Sequence, residues 1–224
     1  MVAISTALEP IQKEEYVAFR DFDTPTLHKK FGLKRTKESI LLDKWLNTPV
    51  KMSNNTATQL EELRERIDFY GTYYNEAELK WNFLTPLIEL VNYRTDKYHV
   101  FNERILTAEV DGIKIRGAVD LIIATGNFAP EAPYFFIHEY KKEKGTPNDI
   151  IAQLLSAMLV AQRLNDNDKP MYGCYLLGRY WHFVVLNQKE YTISHGHIAS
   201  AKPGISEIYT ALVNMKTIIE TELI

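Results

Sequence analysis

The sequence predicts an α/β protein whose mixed β-sheet is flanked by helices, with an N-terminal helical extension, and three observations predict it. Apolar runs of strand length, rich in β-branched and aromatic residues, recur at 98–101, 105–110, 113–124 and 134–141, then at 172–177 and 180–186. Apolar residues at three-to-four spacing mark helices before, between and after those runs. The composition, 46% hydrophobic and 25% charged over 224 residues, is that of a globular chain large enough for one substantial domain plus an extension.

Residues 1–74 read as the extension. A helix is predicted over 36–46, where Ile40, Leu41 and Trp45 can bury one face. Pro49 and the polar run Ser53-Asn54-Asn55-Thr56 break it, after which Leu60, Leu63, Ile67 and Tyr70 recur at helical spacing. Glu61, Glu62, Arg64 and Arg66 between them alternate in sign, the pattern of a solvated face opposite a packed one. The main domain is predicted over 75–224. Asn75 can cap its first helix, with Glu76 and Glu78 in the first turn complementing the helix dipole. Leu79, Phe83, Leu87 and Leu90 form an apolar stripe, Pro86 should kink or split the helix, and Trp81 fits core or surface equally.

Asp111-Gly112 supplies a tight turn between the strands at 105–110 and 113–124, so a hairpin leads into the strand that carries Asp120. A Pro-containing loop over 127–133 joins it to the next strand, which ends Glu139-Tyr140-Lys141. In Thr146-Pro147-Asn148-Asp149, threonine caps a helix, proline takes its first position and an acid its third, so the helix should run over 147–164. Ile150, Ile151, Leu154, Leu155, Met158 and Leu159 make its apolar face and leave Gln153 polar within the first two turns. Strands at 172–177 and 180–186 pair around Gly178-Arg179, and 190–194 adds a short edge strand. Residues 206–223 close the chain as a helix with Ile208, Leu212, Met215 and Ile219 on one face. That helix packs on the sheet or against a second copy, so a homodimer stays open.

The chemistry concentrates where two buried strands carry acids. Ile113, Ile115, Ala118, Val119, Leu121, Ile122 and Ile123 surround Asp120, and Tyr134, Phe135, Phe136 and Ile137 precede Glu139. Burying an ionised carboxylate without a partner costs several kcal/mol or forces its protonation, so two acids beside a lysine call for a cation. Strand alternation puts Glu139 and Lys141 on one face and Tyr140 on the other. Hard oxygen ligands from one or two carboxylates suit Mg2+, or Mn2+, and a neighbouring ammonium can hold a water or stabilise phosphoryl charge. That is the chemistry of phosphodiester hydrolysis.

Asp120, Glu139 and Lys141 resemble, position for position, the Asp…Glu-x-Lys signature of the PD-(D/E)XK nuclease superfamily. Glu78 in a preceding helix, Gln153-Leu154-Leu155-Ser156-Ala157 in a following one, and the hairpin around Gly178 occur in the same order, from residue 75 to about 186. The pattern is most similar to the nuclease domain at the start of type I restriction motor subunits, although this chain has no ATPase motor. Val119 stands where the family name puts proline. The resemblance implies a restriction-endonuclease-like fold over 75–224 and a metal-dependent nuclease acting on DNA. Asp120, Glu139 and the main-chain carbonyl of Tyr140 would hold Mg2+, and Lys141 would orient or activate the attacking water. Glu78 would assist as a further ligand or water-positioning group, and Gln153 would position substrate.

Other signals bound the reading. No apolar run approaches the roughly 20 residues a membrane span needs, and residues 1–5 lack a signal-peptide layout, so a cytoplasmic location without membrane attachment is expected. The single cysteine, Cys174, excludes an internal disulfide framework and a Cys-cluster zinc site, and its apolar surroundings suit a buried, inert thiol. A net charge of −3 argues against strong non-specific DNA affinity, though not against a local basic rim. His195-Gly196-His197 reads as a loop; Lys142, Glu143 and Lys144 as a solvated strand exit; and Arg179-Tyr180-Trp181 as an ordinary hairpin tip. No Gly-rich phosphate loop, nucleophile elbow or dinucleotide fingerprint occurs. RNA in place of DNA, and a catalytically inactive DNA- or protein-binding subunit in place of an enzyme, are the alternatives.

Overall fold

A computed structural model describes residues 15–143 and 149–224. The chain begins with β1 (Val17–Ala18), a 3-10 turn at Phe19–Asp21, α1 (Thr24–Phe31), β2 (Lys34–Arg35), α2 (Ile40–Asn47) and α3 (Asn54–Tyr70). Next come α4 (Glu76–Leu79), a π-helical turn at Lys80–Leu84 and α5 (Thr85–Val91). Strands β3 (His99–Val110), β4 (Ile113–Thr125) and β5 (Glu131–Lys141) precede α6 (Ile150–Asn165). Strands β6 (Met171–Leu177), β7 (Tyr180–Asn187), β8 (Glu190–Ile193) and β9 (His197–Ile198) lead to α7 (Lys202–Ile218) and a last π turn at Ile219–Leu223. No helix among the described residues is long and apolar enough to cross a membrane.

Local chemistry sets most helix starts. Asp23, Ser39, Ser53 and Asn75 each accept a backbone N–H of the first turn through a side-chain oxygen, satisfying a donor with no intrahelical partner. Thr146, Pro147 and Asn148, expected to open the next helix, lie outside the described residues. Asp149, expected inside the helix, is the N-cap of α6: Oδ1 accepts from Ala152 N, and Oδ2 from the Thr24 amide and hydroxyl at 2.9 and 2.7 Å. A π turn at Lys80–Leu84 interrupts the helix without breaking it, Leu84 and Thr85 keeping helical dihedrals on the way to Pro86. Lacking an N–H, Pro86 leaves the Asn82 carbonyl without its i+4 donor, and Arg66 Nη1 donates to that oxygen at 3.0 Å. Asp111 and Gly112, at φ 49° and 79°, form the predicted turn between β3 and β4.

The nine strands form one mixed sheet, with β3–β4–β5 and β6–β7–β8 antiparallel and β5–β6 parallel. One face is covered by α2, α3, α5 and α7, and the other by α1 and α6. Trp45 centres the first layer, its ring edge-on to Phe136, Tyr172 and Phe183 at 5.1–5.5 Å, and its Nε1–H donates to the Ala211 carbonyl at 2.7 Å. Truncating such a side chain costs about 3–5 kcal/mol.

Residue 74 does not mark a break in packing. Phe19, Phe22, Leu27, Phe31 and Leu33 belong to the α6-side core, while Leu42, Trp45, Leu60, Leu63 and Ile67 belong to the other. The expected extension also supplies two strands: β1 pairs parallel with β4, and β2 pairs parallel with β8, so 190–193 is not an edge. In α2, Leu42 is buried beside Trp45, whereas Ile40, expected inside, is 87% exposed. The 98–101 and 105–110 runs are one strand, β3, interrupted by Glu103 at φ 52°.

That interruption shapes the centre of the sheet. Ladder pairs flank it at Asn102–Leu121 and Arg104–Val119 in constant register, but Glu103 and Asp120 are not themselves paired. Across this point the alternation changes on both strands. Phe101 faces α6 on one side and Leu106 on the other, while on β4 Val119 faces α6 but Leu121 faces the opposite layer. The β3–β4 ribbon thus turns over at Glu103 and Asp120. On the edge of β4 away from β3, pairing with β5 runs only from Thr125 to Leu121, where Leu121 meets His138. Beyond it, Ile115 and Arg116 pair with β1 instead. The sheet forks at Asp120, and β1 occupies the gap.

Candidate active site

Glu139 and Tyr140 lie where β5, leaving β4, continues along β6 with Glu139 opposite Tyr175 and Tyr140 opposite Leu176. At the fork the backbone of Tyr140 has lost its β4 partner, and the Asp120 side chain replaces it: the Tyr140 amide donates to Asp120 Oδ2 at 2.9 Å. This fixes one carboxylate between the diverging strands. Phe19 helps hold the fork. A Cβ added at Gly117 would collide with its ring, so glycine lets the wedge seat against β4.

Glu139 is 3% exposed. Burial, then the neighbouring Asp120 carboxylate, push its carboxyl well above the usual carboxylate range, against the opposing pull of Lys141. Glu139 Oε1 is buried without a partner. Burial beside a second acid thus disfavours the charged form of Glu139. Lys141 Nζ lies 3.8 Å from Glu76 Oε1 at the start of α4, and the Lys141 carbonyl accepts from the Gly178 amide at 2.8 Å. Burial and, after it, the charges of Asp120, Glu103, Glu139 and Glu76 push the Tyr140 hydroxyl up. Lys80 closes the ring of charges through a 2.9 Å pair with Glu103.

Asp120, Glu139, Tyr140 and Lys141 are thus brought together. Glu78 is placed differently: its Oε2 accepts from the Asn75 amide at 2.8 Å while Asn75 Oδ1 accepts from the Glu78 amide, a reciprocal capping box. Glu76, two residues earlier, is the helix acid that meets Lys141. Gln153 is buried on α6, which packs along β5 on the face that carries Ile137 and, by alternation, Glu139. Sequence reasoning gave Glu76 only a dipole role and missed Glu103 and Lys80. The available signal for Glu103 was the polar gap it opens in the β3 pattern.

The weaker signals resolve into structure. Glu143, read as solvated, and Arg179, read as an ordinary hairpin tip, pair with each other at 3.0 Å across the β5 exit and the β6–β7 turn. Cys174 Sγ sits 3.2 Å from His138 Nδ1 with both groups buried; desolvation raises the thiol and brings the imidazole down to about 3, leaving both uncharged. His197 starts β9 rather than lying in a loop, and its Nδ1 is 2.9 Å from Glu207 Oε2. Among the described residues no group of three or more His, Cys, Asp or Glu side chains is placed to hold a metal ion.

No family model matches this chain, and no curated protein matches it. One solved structure it is similar to is described as "Crystal structure of SSO0001", at 15% identity and a TM-score of 0.26, covering 81% of this chain and 85% of that one. A superposition that loose says nothing about fold or function.

Proposed function

We propose that this chain is a metal-dependent nuclease of the restriction-endonuclease-like fold, hydrolysing phosphodiester bonds in DNA. The observation that carries the proposal is the fork, where the Tyr140 amide holds Asp120 at 2.9 Å next to Glu139 and Lys141, and one oxygen of the buried Glu139 has no partner. The mixed sheet, with three antiparallel strands followed by a helix and a parallel strand, fits that fold.

The donor set suits the ion. Mg2+ and Mn2+ take oxygen ligands, and Mg2+ is commonly held by only one or two carboxylates, with waters and substrate phosphates completing the shell. Asp120, Glu139 and the Tyr140 carbonyl would hold it. When bound, it would neutralise charge developing on the scissile phosphate. The rest falls to the chain. The Tyr140 amide keeps Asp120 aimed into the fork, and Glu139 would have to be ionised to serve as a ligand. Glu76 steers the Lys141 ammonium, which orients the attacking water. Gln153 positions the strand from the α6 side.

The test is cleavage of supercoiled plasmid and single-stranded DNA with Mg2+, Mn2+ or EDTA, by wild type and by Lys141→Ala. Cleavage should require metal and fall by roughly 10²–10⁴-fold in the variant, the range for loss of a positioned acid–base group, with the folded spectrum unchanged. Full turnover by the variant refutes the role of Lys141. No cleavage by wild type refutes the nuclease and favours a nucleic-acid- or protein-binding subunit.

A further inference from the structure

A cavity of about 140 Å³ opens beside the fork, between the α4–α5 segment and strands β3, β4 and β5. Two of its lining residues, Leu121 and Tyr140, are the chain neighbours of Asp120 and Glu139. Leu84, Ile88 and Leu121 give it apolar walls, and Asn102 contributes an amide. Pockets for drug-sized ligands run to about 300–1,000 Å³, so this one admits a single flat ring system and excludes a whole nucleotide. Lys80, also in the lining, pairs with Glu103 at 2.9 Å, so the cavity wall carries an ammonium.

A second observation comes from the segment that leads into the cavity wall, where Trp81 follows the lining residue Lys80. Phe69, Tyr73 and Trp81 are 71%, 82% and 74% exposed, on the end of α3, the turn into α4 and the π turn that carries Lys80. The Phe69 ring also meets Tyr70 edge-on at 4.7 Å, and Tyr70 stacks on Tyr74 at 6.2 Å. Rings held open to solvent offer stacking faces. Base pairs in a duplex keep their faces covered by neighbouring pairs, so only unpaired bases can use such rings.

We infer that the cavity receives one unpaired nucleobase and that Trp81, Tyr73 and Phe69 stack its neighbours, which makes single-stranded or locally unpaired nucleic acid the substrate. The inference rests on the nuclease reading for the phosphate that enters the fork. Arg94, at the cavity mouth, forms a surface pair with Glu89 at 2.7 Å. Exposed pairs of this kind are weak, so a backbone phosphate can displace the acid.

The test measures binding and cleavage separately. Fluorescence anisotropy would follow a labelled oligonucleotide, single-stranded or as its perfect duplex, binding to Lys141→Ala protein with Ca2+. The same measurement would be made with Trp81→Ala and with Asn102→Trp, which fills the cavity from an exposed strand position. The single strand should bind at least tenfold more tightly than the duplex. Trp81→Ala should weaken it by roughly 5- to 150-fold, the range for one stacked base, and Asn102→Trp by at least tenfold. Equal affinity for the two forms, no binding of either, or unchanged affinity in both variants overturns the inference. Cleavage of duplex plasmid that both substitutions leave intact, on the Lys141 background, removes the inference and keeps the nuclease. Selective single-strand binding without cleavage by wild type keeps the inference and removes the nuclease.

Discussion

Replacing Glu139 with glutamine should change how the metal-free protein's stability depends on pH. Burial and then the Asp120 carboxylate raise the native carboxyl well above its usual range, whereas in the unfolded chain it titrates near pH ~4.3. Between that pH and its raised native value the folded state carries one proton more than the unfolded state. Stability is then fully present below pH ~4.3 and falls by about 1.4 kcal/mol per pH unit as pH rises through the window. His138, the preceding residue, acts in the opposite sense. Burial brings its native value to about 3, so acid protonates the unfolded chain first and stability falls as pH drops below about 6.5. Above pH ~4.3 the two slopes oppose each other, that of His138 ending near pH ~6.5 and that of Glu139 at its raised native value. Glutamine matches the glutamate in size but cannot ionise, so the decline that Glu139 causes should vanish. In EDTA, the melting temperature of Glu139→Gln should gain on wild type by about 3–6 °C per pH unit above pH ~4.5, for a protein of this size. Calorimetry from pH 4 to 8 measures it. Parallel wild-type and variant curves would refute the raised Glu139 carboxyl. Saturating Mg2+ should flatten the wild-type decline, because an ion that binds the ionised pair takes over from the proton.

Two further substitutions probe the frame around the site. Asp149→Ala removes the cap of α6 and both acceptors of Thr24, so urea denaturation should show a loss of about 2–4 kcal/mol, combining a cap with an unpaired donor; adding Thr24→Val should cost little more, and a loss below about 1 kcal/mol contradicts the linkage. Gly117→Ala forces a methyl against the Phe19 ring and should destabilise by about 1–3 kcal/mol; Phe19→Ala in the same chain should relieve part of that loss, and additive losses would show that the two residues do not meet.

What could be read from sequence was local. The Asp111-Gly112 turn, the Asn75 cap and the stripe of Leu79, Phe83 and Leu87 each depend on residues a few positions apart, and each is found. Strands β1 and β2 have two residues apiece and too little pattern to announce themselves; their partners in β4 and β8 define them. The exchange of Glu76 for Glu78 has the same origin. Both acids suit a first helical turn, and only the docking of α4 against the sheet decides which meets Lys141. Asp120, Glu139 and Lys141 were legible because strand alternation and burial in the sequence already isolate them. The turnover at Glu103 was not, since a left-handed glutamate has no sequence signature.

The two short parallel strands also set an order of events during synthesis. Val17 pairs with Ile115 and Lys34 with Glu190, and by loop-closure scaling the second, longer span costs only about 0.4 kcal/mol more than the first. Time is the larger difference. At about 5–20 residues per second, roughly 8 to 30 seconds separate the emergence of Lys34 from that of its partner. Through that interval Phe22, Leu27, Phe31 and Leu33 have no completed core to enter. On a nascent chain they stay an unburied apolar segment, and the fork that holds Asp120 gains its Phe19 wedge only when that segment docks.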